Sequence, residues 1–171
     1  MIIRLLMLVS VLVGVTPVYA QHTNHLSYKG MNFIIKHEGM RRDVYRDIAG
    51  YLTVGAGHLV LPSDNLVEGQ IISEERVYNL LLKDTHEASK AVDNCITVSL
   101  LKNQYDALVS FVYNVGVGAF CGSTLVKKLN QENYASVPTQ LSRWVYAGGK
   151  KAKGLINRRN YEIKLFTKGV Y

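Results

Sequence analysis

The chain has 171 residues, of which 48% are hydrophobic and 19% are charged. This balance suits a globular protein, and the length, without an obvious linker or repeat, favours a single domain. Lysine and arginine number 20 and aspartate and glutamate 13, so the formal net charge is +7. A basic surface favours a polyanionic partner. The sequence has no recognised nucleic-acid-binding module, however, and we expect no nucleic-acid ligand.

The first 20 residues form a separate apolar segment. Arg4 is their only charged residue, the run from Leu5 to Val15 is almost wholly apolar, and Val18 to Ala20 offers the small residues that a signal peptidase reads. The run is short for a membrane span and has the length of a signal-peptide core. We interpret residues 1–20 as a cleaved signal peptide. A releasable anchor that engages the membrane transiently is the alternative, and both predict export to the periplasm or beyond.

Residues 21–30 are polar, and we interpret them as a linker between the export segment and the folded domain. Metal binding is the alternative interpretation for the two histidines of this linker, His22 and His25. Ser27 is a good N-cap residue for a first helix, which would run toward Glu38.

The stretch from Glu38 to His58 holds the residue types of an acid–base site. Gly39 favours a helix end, and the helix dipole disfavours a negative charge there, which favours the protonated form of Glu38 that a general acid needs. Asp47 begins a turn before a strand that contains Thr53, so we expect Asp47 at a wetter hairpin tip. Enzymes that cleave an acetal commonly use two carboxylates whose surroundings differ. From the pattern alone, the alternative is that Asp47 only caps its turn and Thr53 is an ordinary strand residue.

A long helix is predicted over residues 74–93. Ser73 precedes two acidic residues that suit a first helical turn, and apolar residues follow at helical spacing. Asp84 falls on the same apolar stripe, where a carboxylate needs a partner.

Cys95 and Cys121 are the only cysteines. In an exported chain such a pair predicts a disulfide, whereas in the cytosol it would indicate two free thiols. The predicted export therefore favours the disulfide. No spacing predicts a metal site, and we expect no cofactor.

Helical patterns dominate the second half of the chain. Apolar residues at helical spacing from Tyr105 to Val112 predict a central helix, and a last helix carries Arg158. Trp144 is the only tryptophan. We favour a core position for it, and a position lining a sugar cleft is the alternative.

The stretch from Glu38 to His58 resembles the signature of phage-type lysozymes, the endolysins of glycoside hydrolase family 24. Two further stretches resemble the same family, residues 104–116 and residues 143–159, and the resemblance covers residues 27–168. The positions that carry the first match are Glu38, Asp47, Thr53 and the motif Gly55-Ala56-Gly57-His58, which ends the stretch.

The resemblance implies an α+β, mostly helical, lysozyme-like fold over residues 31–171. A small hairpin-sheet lobe would occupy residues 31–73, a connecting helix residues 74–93 and an all-helical lobe residues 94–171. The substrate cleft would lie between the lobes.

The resemblance also implies roles for the signature residues. Glu38 would protonate the leaving glycosidic oxygen. Asp47 would act as a base or support the oxocarbenium-like transition state, and Thr53 would help to hold the attacking water.

Three supporting positions follow from the same resemblance. Asp84 would form a structural ion pair with His58, and an arginine of the last helix would reach the catalytic glutamate. Arg158 is better aligned for this contact than Arg159.

The implied reaction is hydrolysis of the β-1,4 bond between N-acetylmuramic acid and N-acetylglucosamine in bacterial peptidoglycan, causing cell lysis by a monomeric enzyme. A wall-binding module of the same fold without catalytic activity is one alternative. A basic nucleic-acid-binding helical protein is another, against which the export segment argues.

Overall fold

The computed structural model of the protein describes residues 25–171. The predicted export segment at residues 1–20 and the first four residues of the predicted linker, which include His22, lie outside the described residues. Within residues 25–171, no helix has both the length and the apolar character that a bilayer crossing requires.

The helices occupy most of the described chain. The first helix, α1 (Tyr28–Glu38), begins after Ser27, whose hydroxyl accepts a hydrogen bond from the Gly30 amide at 2.9 Å. The helices that follow are α2 (Glu74–Asp84), α3 (His86–Cys95), α4 (Lys102–Val115), α5 (Val117–Cys121), α6 (Thr124–Leu129), α7 (Val137–Leu141) and α8 (Lys153–Lys168).

A three-stranded antiparallel sheet forms the small lobe. Its strands are β1 (Arg41–Arg46), β2 (Leu52–Gly55) and β3 (His58–Leu59), and β2 lies in the middle. Residues 69–72 run along the other edge of β1, so β1 is covered on both sides. The sheet packs on α2 through a small core that consists of Val44, Val54, Ile72, Val77 and Leu80.

A glycine at the end of β2 lets the sheet approach α2 closely. Gly55 has a φ of 69°, and a Cβ atom at this position would lie 3.2 Å from Val77 Cγ1. Glycine is therefore favoured at position 55 for two reasons: it adopts the positive φ without strain, and it has no Cβ atom to clash with Val77.

The central helix of the larger core is α4, as predicted. Every residue from Tyr105 to Val112 is buried. Apolar side chains of α1, α3, α6, α7 and α8 surround it and complete one continuous core. The observed architecture confirms the predicted α+β, mostly helical class.

The prediction of one continuous connecting helix over residues 74–93 is wrong. The chain forms α2 and α3, which are separated at Thr85. The Thr85 hydroxyl donates to the Leu81 carbonyl at 2.8 Å, a back-bond that competes with the regular helical ladder.

Three predicted boundaries also need correction. The predicted linker at residues 21–30 overlaps the first turn of α1. The apolar face of α1 belongs to the larger core, although residues 31–73 were assigned to the small lobe. The all-helical prediction for residues 94–171 missed a short hairpin of β4 (Tyr146–Ala147) and β5 (Lys150–Lys151).

Candidate active site

Glu38 is the last residue of α1, at the point where the chain leaves the larger core and enters the sheet. Gly39 ends the helix with a φ of 86°, and its amide donates to the Ile35 carbonyl at 2.8 Å. The Glu38 side chain is 30% exposed, and Arg158 of α8 donates to its Oε1 through Nη1. Glu38 is therefore accessible and contacts one cation.

A buried network holds Arg158 in place. Its Nε donates to Glu162 Oε1 at 3.2 Å, and its Nη2 donates to the Ser110 carbonyl at 3.3 Å. Glu162 is fully buried, and its Oε1 also accepts from the Ser110 hydroxyl at 2.9 Å and from Arg159 Nη2 at 3.2 Å. These contacts leave Arg158 little freedom, so the guanidinium is pre-positioned for Glu38.

The charges of this network come close to balance only when Glu38 is included. Burial raises the pKa of Glu162, and the charges of Arg159 and Arg158 oppose that rise. Burial lowers the pKa of Arg159, whose Nε lies 2.9 Å from Glu162 Oε2 without hydrogen-bond geometry. The guanidinium groups of Arg158 and Arg159 thus face one buried carboxyl group, that of Glu162. Glu38 supplies a second carboxyl group.

Two titratable side chains beside Glu38 are uncharged near pH 7. Burial lowers the pKa of His37, and the charge of Arg158 lowers it further. Burial raises the pKa of Tyr113 to about 12, and the negative charges of Asp84 and Glu38 add to the rise. Arg158 is therefore the charged group that contacts Glu38 directly.

A cavity of about 300 Å³ adjoins this arrangement. His37 Nε2 is buried and makes no hydrogen bond within residues 25–171. The cavity therefore offers polar groups to a ligand next to Glu38. Its lining consists of His37, Asn114, Ala152, Gly154, Leu155 and Arg158.

Asp47 lies in the turn between β1 and β2, as predicted. Its Oδ1 accepts hydrogen bonds from the amides of Ala49 and Tyr51, each at 2.9 Å. Gly50 completes the turn with a φ of 87°. One carboxylate oxygen thus caps the turn, as in the alternative interpretation. Within residues 25–171 the other oxygen, Oδ2, makes no hydrogen bond and can accept a proton.

Thr53 lies on the central strand, opposite Tyr45 of β1 and Leu59 of β3. It is buried, and its hydroxyl donates to the Tyr51 carbonyl at 3.2 Å. A hydroxyl oxygen keeps acceptor capacity after it has donated its hydrogen. Thr53 can therefore still accept a hydrogen bond from a water molecule.

The structure brings His58 and Asp84 together, and it adds a second carboxylate. His58 Nδ1 lies 2.9 Å from both carboxylate oxygens of Asp84. His58 Nε2 lies 3.0 Å from Asp64 Oδ2. Both ring nitrogens of His58 therefore face carboxylate oxygens.

Asp64 is the most strongly held carboxylate of this cluster. Burial alone raises its pKa, but hydrogen bonds from the Leu61 amide at 2.7 Å, from His58 and from Lys83 outweigh that effect and lower the pKa to about 2. His58 belongs to β3 and Lys83 to α2. The cluster therefore ties the sheet to α2, which suits a structural role.

The predicted disulfide between Cys95 and Cys121 is confirmed, and it joins the end of α3 to the end of α5. Trp144 packs edge-on against Phe111 with ring centroids 5.4 Å apart, at the border of the larger core. It also lines a cavity of about 440 Å³. A core contact and a cavity-lining position therefore coexist at Trp144.

Three polar residues of these networks, Glu162, Ser110 and Asp64, are not among the site residues predicted from the sequence. Glu162 had a usable signal, because it lies four residues after Arg158 and three after Arg159 on one helical face. Ser110 and Asp64 had none. Ser110 meets Glu162, and Asp64 meets His58 and Lys83, only through packing between separate elements.

The fold is that of a lysozyme-like protein. A solved structure of a P22 lysozyme mutant matches with a TM-score of 0.76 and 34% identity, over 83% of this chain and 97% of that chain. The endolysin of Bacillus phage B103 is 38% identical over 147 residues, or 85% of this chain, which spans 55% of that relative's length. The SAR-endolysin of Escherichia phage Mu is 43% identical over 123 residues, or 72% of this chain and 70% of that protein.

A match to a protein family assigns the chain more specifically than the fold does. The family described as Phage lysozyme matches residues 35–162, which include Glu38, Asp47 and Thr53 as well as Arg158. The chain therefore belongs to the phage lysozyme family.

Proposed function

We propose that this protein is an endolysin-type lysozyme that hydrolyses the β-1,4 bond between N-acetylmuramic acid and N-acetylglucosamine in peptidoglycan. The observation that carries the proposal is the position of Glu38, at an accessible helix end in contact with Arg158. Membership of the phage lysozyme family supports it. The proposed outcome of the reaction is lysis of the bacterial cell.

Glu38 is the proposed general acid. In the protonated form it donates its proton to the glycosidic oxygen as the bond from that oxygen to the muramic acid carbon breaks. The proton transfer leaves a carboxylate, and Arg158 already contacts that carboxylate through Nη1. The guanidinium therefore stabilises the product form of the acid without rearranging.

Asp47 is the proposed base for the attacking water. Its Oδ1 is occupied by the turn, whereas its Oδ2 is available to accept the water proton. Thr53 is the proposed acceptor that helps to orient the same water. The reaction then leaves a new reducing end on the muramic acid residue and needs no cofactor.

The remaining elements of the proposal concern location and support. Residues 1–20 have the composition of an export segment, and the proposed substrate lies in the cell wall. We propose that the protein is exported, acts on the wall as a monomer and engages the membrane transiently through residues 1–20. His58, Asp84 and Asp64 are proposed to hold the small lobe rather than to react.

The test is the release of reducing ends from purified peptidoglycan by the full chain and by Glu38→Gln. We expect the substitution to lower the rate by at least roughly 100-fold, because a general acid contributes about 10²- to 10⁴-fold. Muramitol after borohydride reduction would identify the cleaved bond. Glu87→Gln is the matched control, since Glu87 is an exposed carboxylate that pairs with Lys90.

Three outcomes would count against the proposal. Binding to peptidoglycan without release of reducing ends would favour the wall-binding module. Equal rates for the full chain and Glu38→Gln would place the general acid elsewhere. Tight binding to nucleic acid with a steep salt dependence would instead revive the nucleic-acid alternative.

A further inference from the structure

One surface of the helical lobe combines lysines with exposed tyrosines, and we call it the basic face. Lys29 and Lys36 lie seven residues apart on α1, and Lys164 and Lys168 lie four apart on α8, so each pair occupies one side of its helix. The residues of the basic face are Lys29, Lys36, Lys102, Lys164, Lys168, Tyr28, Tyr161 and Tyr171.

Contacts between side chains make the basic face continuous. The ammonium groups of Lys36 and Lys164 each lie 5.8 Å from the ring centroid of Tyr161, which joins α1 to α8. The ammonium group of Lys29 lies 5.8 Å from the ring centroid of Tyr171. Two adjoining depressions of about 480 and 510 Å³ both contact Lys29 and Tyr171, and the second reaches Lys102.

Little negative charge offsets these lysines. Asp106 is fully buried beneath the face and accepts hydrogen bonds from the Ser27 amide and the Tyr171 hydroxyl. Lys102 lies 3.9 Å from it. Within residues 25–171 the other four lysines of the face form no ion pair. The face therefore presents a net positive potential to its partner.

Exposed rings and aliphatic side chains accompany that charge. Tyr28 is 60% exposed and Tyr161 44% exposed, and Leu101 beside Lys102 is 62% exposed. Lysines with long aliphatic stems and amphipathic tyrosine rings suit the boundary between lipid head groups and water. Binding to a soluble polyanion would require only the positive charges. The exposed rings and aliphatic side chains also match the apolar interior that lies beneath the lipid head groups of a membrane.

The chain enters the described domain at the same face. Lys102 donates to the backbone carbonyl of His25, and the Ser27 amide donates to Asp106. Only nine residues, 16–24, separate the end of the apolar run at Val15 from His25. Nine residues span at most about 30 Å, so a membrane-engaged run would hold this face close to the bilayer.

We infer that the basic face docks on the anionic phospholipid head groups of a membrane. This inference does not depend on the proposed reaction. It assigns to α1, α4 and α8 an attachment that adds to the predicted membrane engagement of residues 1–20. Two weak signals on one side of a protein give stable yet reversible attachment, as an acyl chain and a polybasic patch do together.

The experiment compares vesicle binding of two triple variants with equal loss of charge. The face variant is Lys29→Gln with Lys36→Gln and Lys164→Gln. The control variant is Lys90→Gln with Lys127→Gln and Lys128→Gln, which removes three lysines from α3 and α6. Co-sedimentation uses phosphatidylcholine vesicles with and without about 30% phosphatidylglycerol, a typical anionic lipid.

Both the full chain and residues 25–171 are measured. The shorter chain is a fair folding unit, because 83% of this chain covers 97% of the solved P22 lysozyme chain. We expect both forms to prefer anionic vesicles, with weaker binding at higher salt. The face variant of residues 25–171 should bind at least roughly 10-fold more weakly, and the control variant should change less than about 3-fold.

Four results would overturn the inference. These are equal binding to neutral and anionic vesicles, equal losses in the two variants, an unchanged face variant, and tighter lysine-dependent binding to soluble polyphosphate than to vesicles. The last result would identify a wall polyanion as the partner. Release of reducing ends from dissolved peptidoglycan fragments is measured in parallel and should be the same for both variants, so that a failure of catalysis is distinguished from a failure of docking.

Discussion

Glu38 and Asp47 reach the candidate site by opposite structural routes. Glu38 depends on Arg158, which lies 120 residues later in the chain and is held in turn by buried Glu162 and Ser110. The carboxylate of Asp47 is oriented by backbone amides two and four residues away in its own turn. Tertiary packing of the helical lobe therefore sets the proposed acid, and local backbone in the small lobe sets the proposed base.

This difference means that the two proposed catalytic groups can be disturbed separately. A change in the buried network of α4 and α8 should act on Glu38 and on global stability together. A change in the hairpin turn should act on Asp47 with little loss of stability.

The largest expected effect follows from Glu162→Gln. The substitution leaves Arg158 and Arg159 buried with Glu38 as their remaining carboxylate, so we expect a loss of about 3–5 kcal/mol in the free energy of unfolding. Urea unfolding at pH 7 measures it. The control Glu87→Gln removes an exposed surface pair and should change stability by less than about 1 kcal/mol. Similar small effects for both variants would show that the network does not hold the helical lobe.

Replacing both Cys95 and Cys121 with serine separates stability from activity within the helical lobe. The closed loop spans a sequence separation of 26, for which the chain-entropy model gives about 3–4 kcal/mol. The rate of reducing-end release at 25 °C should stay unchanged, because neither cysteine contacts Glu38 or Arg158. A large loss of rate in protein that is still folded would contradict the separation of core and site.

Asp64→Asn tests the cluster that ties the sheet to α2. The pKa of Asp64 in the folded protein, about 2, lies below the ordinary value near 3.9, so Asp64 stabilises the fold above about pH 4. That contribution, about 2 kcal/mol, is lost as the pH falls toward 2.

The measurement is the urea midpoint of the wild type and Asp64→Asn between pH 7 and pH 2. The two proteins should differ fully at pH 7 and converge near pH 2. Glu87→Gln, which removes an exposed surface pair, should follow the wild type throughout. A difference that stays constant with pH would mean that ionisation of Asp64 is not the source.

Gly50→Ala should give the smallest change in stability. Gly50 has a φ of 87°, and a Cβ atom would meet nothing within 4 Å, so the expected loss of about 1 kcal/mol is purely conformational. Because the turn orients Asp47, we expect the rate to fall further, roughly 10-fold. Gly118→Ala, in α5 and without a positive φ, is the matched control and should keep the full rate.

The parts of the fold that depend on neighbouring residues could be predicted from the sequence. Gly39 marks the end of α1, Ser73 caps α2, and the turn at Asp47 follows from its own residues. The break at Thr85 could not be predicted, because a threonine within an otherwise regular helical pattern gives no signal that its hydroxyl will bond the Leu81 carbonyl.

The candidate site shows the same limit. The positions of Glu38, Asp47 and Thr53 follow from one continuous stretch, and the contact of Arg158 with Glu38 was expected only from the family resemblance. Asp64 was missed because its contact with His58 depends on how a short turn after β3 packs. Long-range contacts between polar residues leave no periodic pattern in the sequence.

The most direct test of the account is a double-mutant cycle on the rate of reducing-end release from peptidoglycan, with Glu38→Gln, Asp47→Asn and the double variant. If the two carboxylates act as one acid–base unit, each single variant loses at least roughly 100-fold and the double variant loses about as much as the worse single one. Losses that simply multiply, or an Asp47→Asn variant that keeps the wild-type rate, would contradict the proposed pairing.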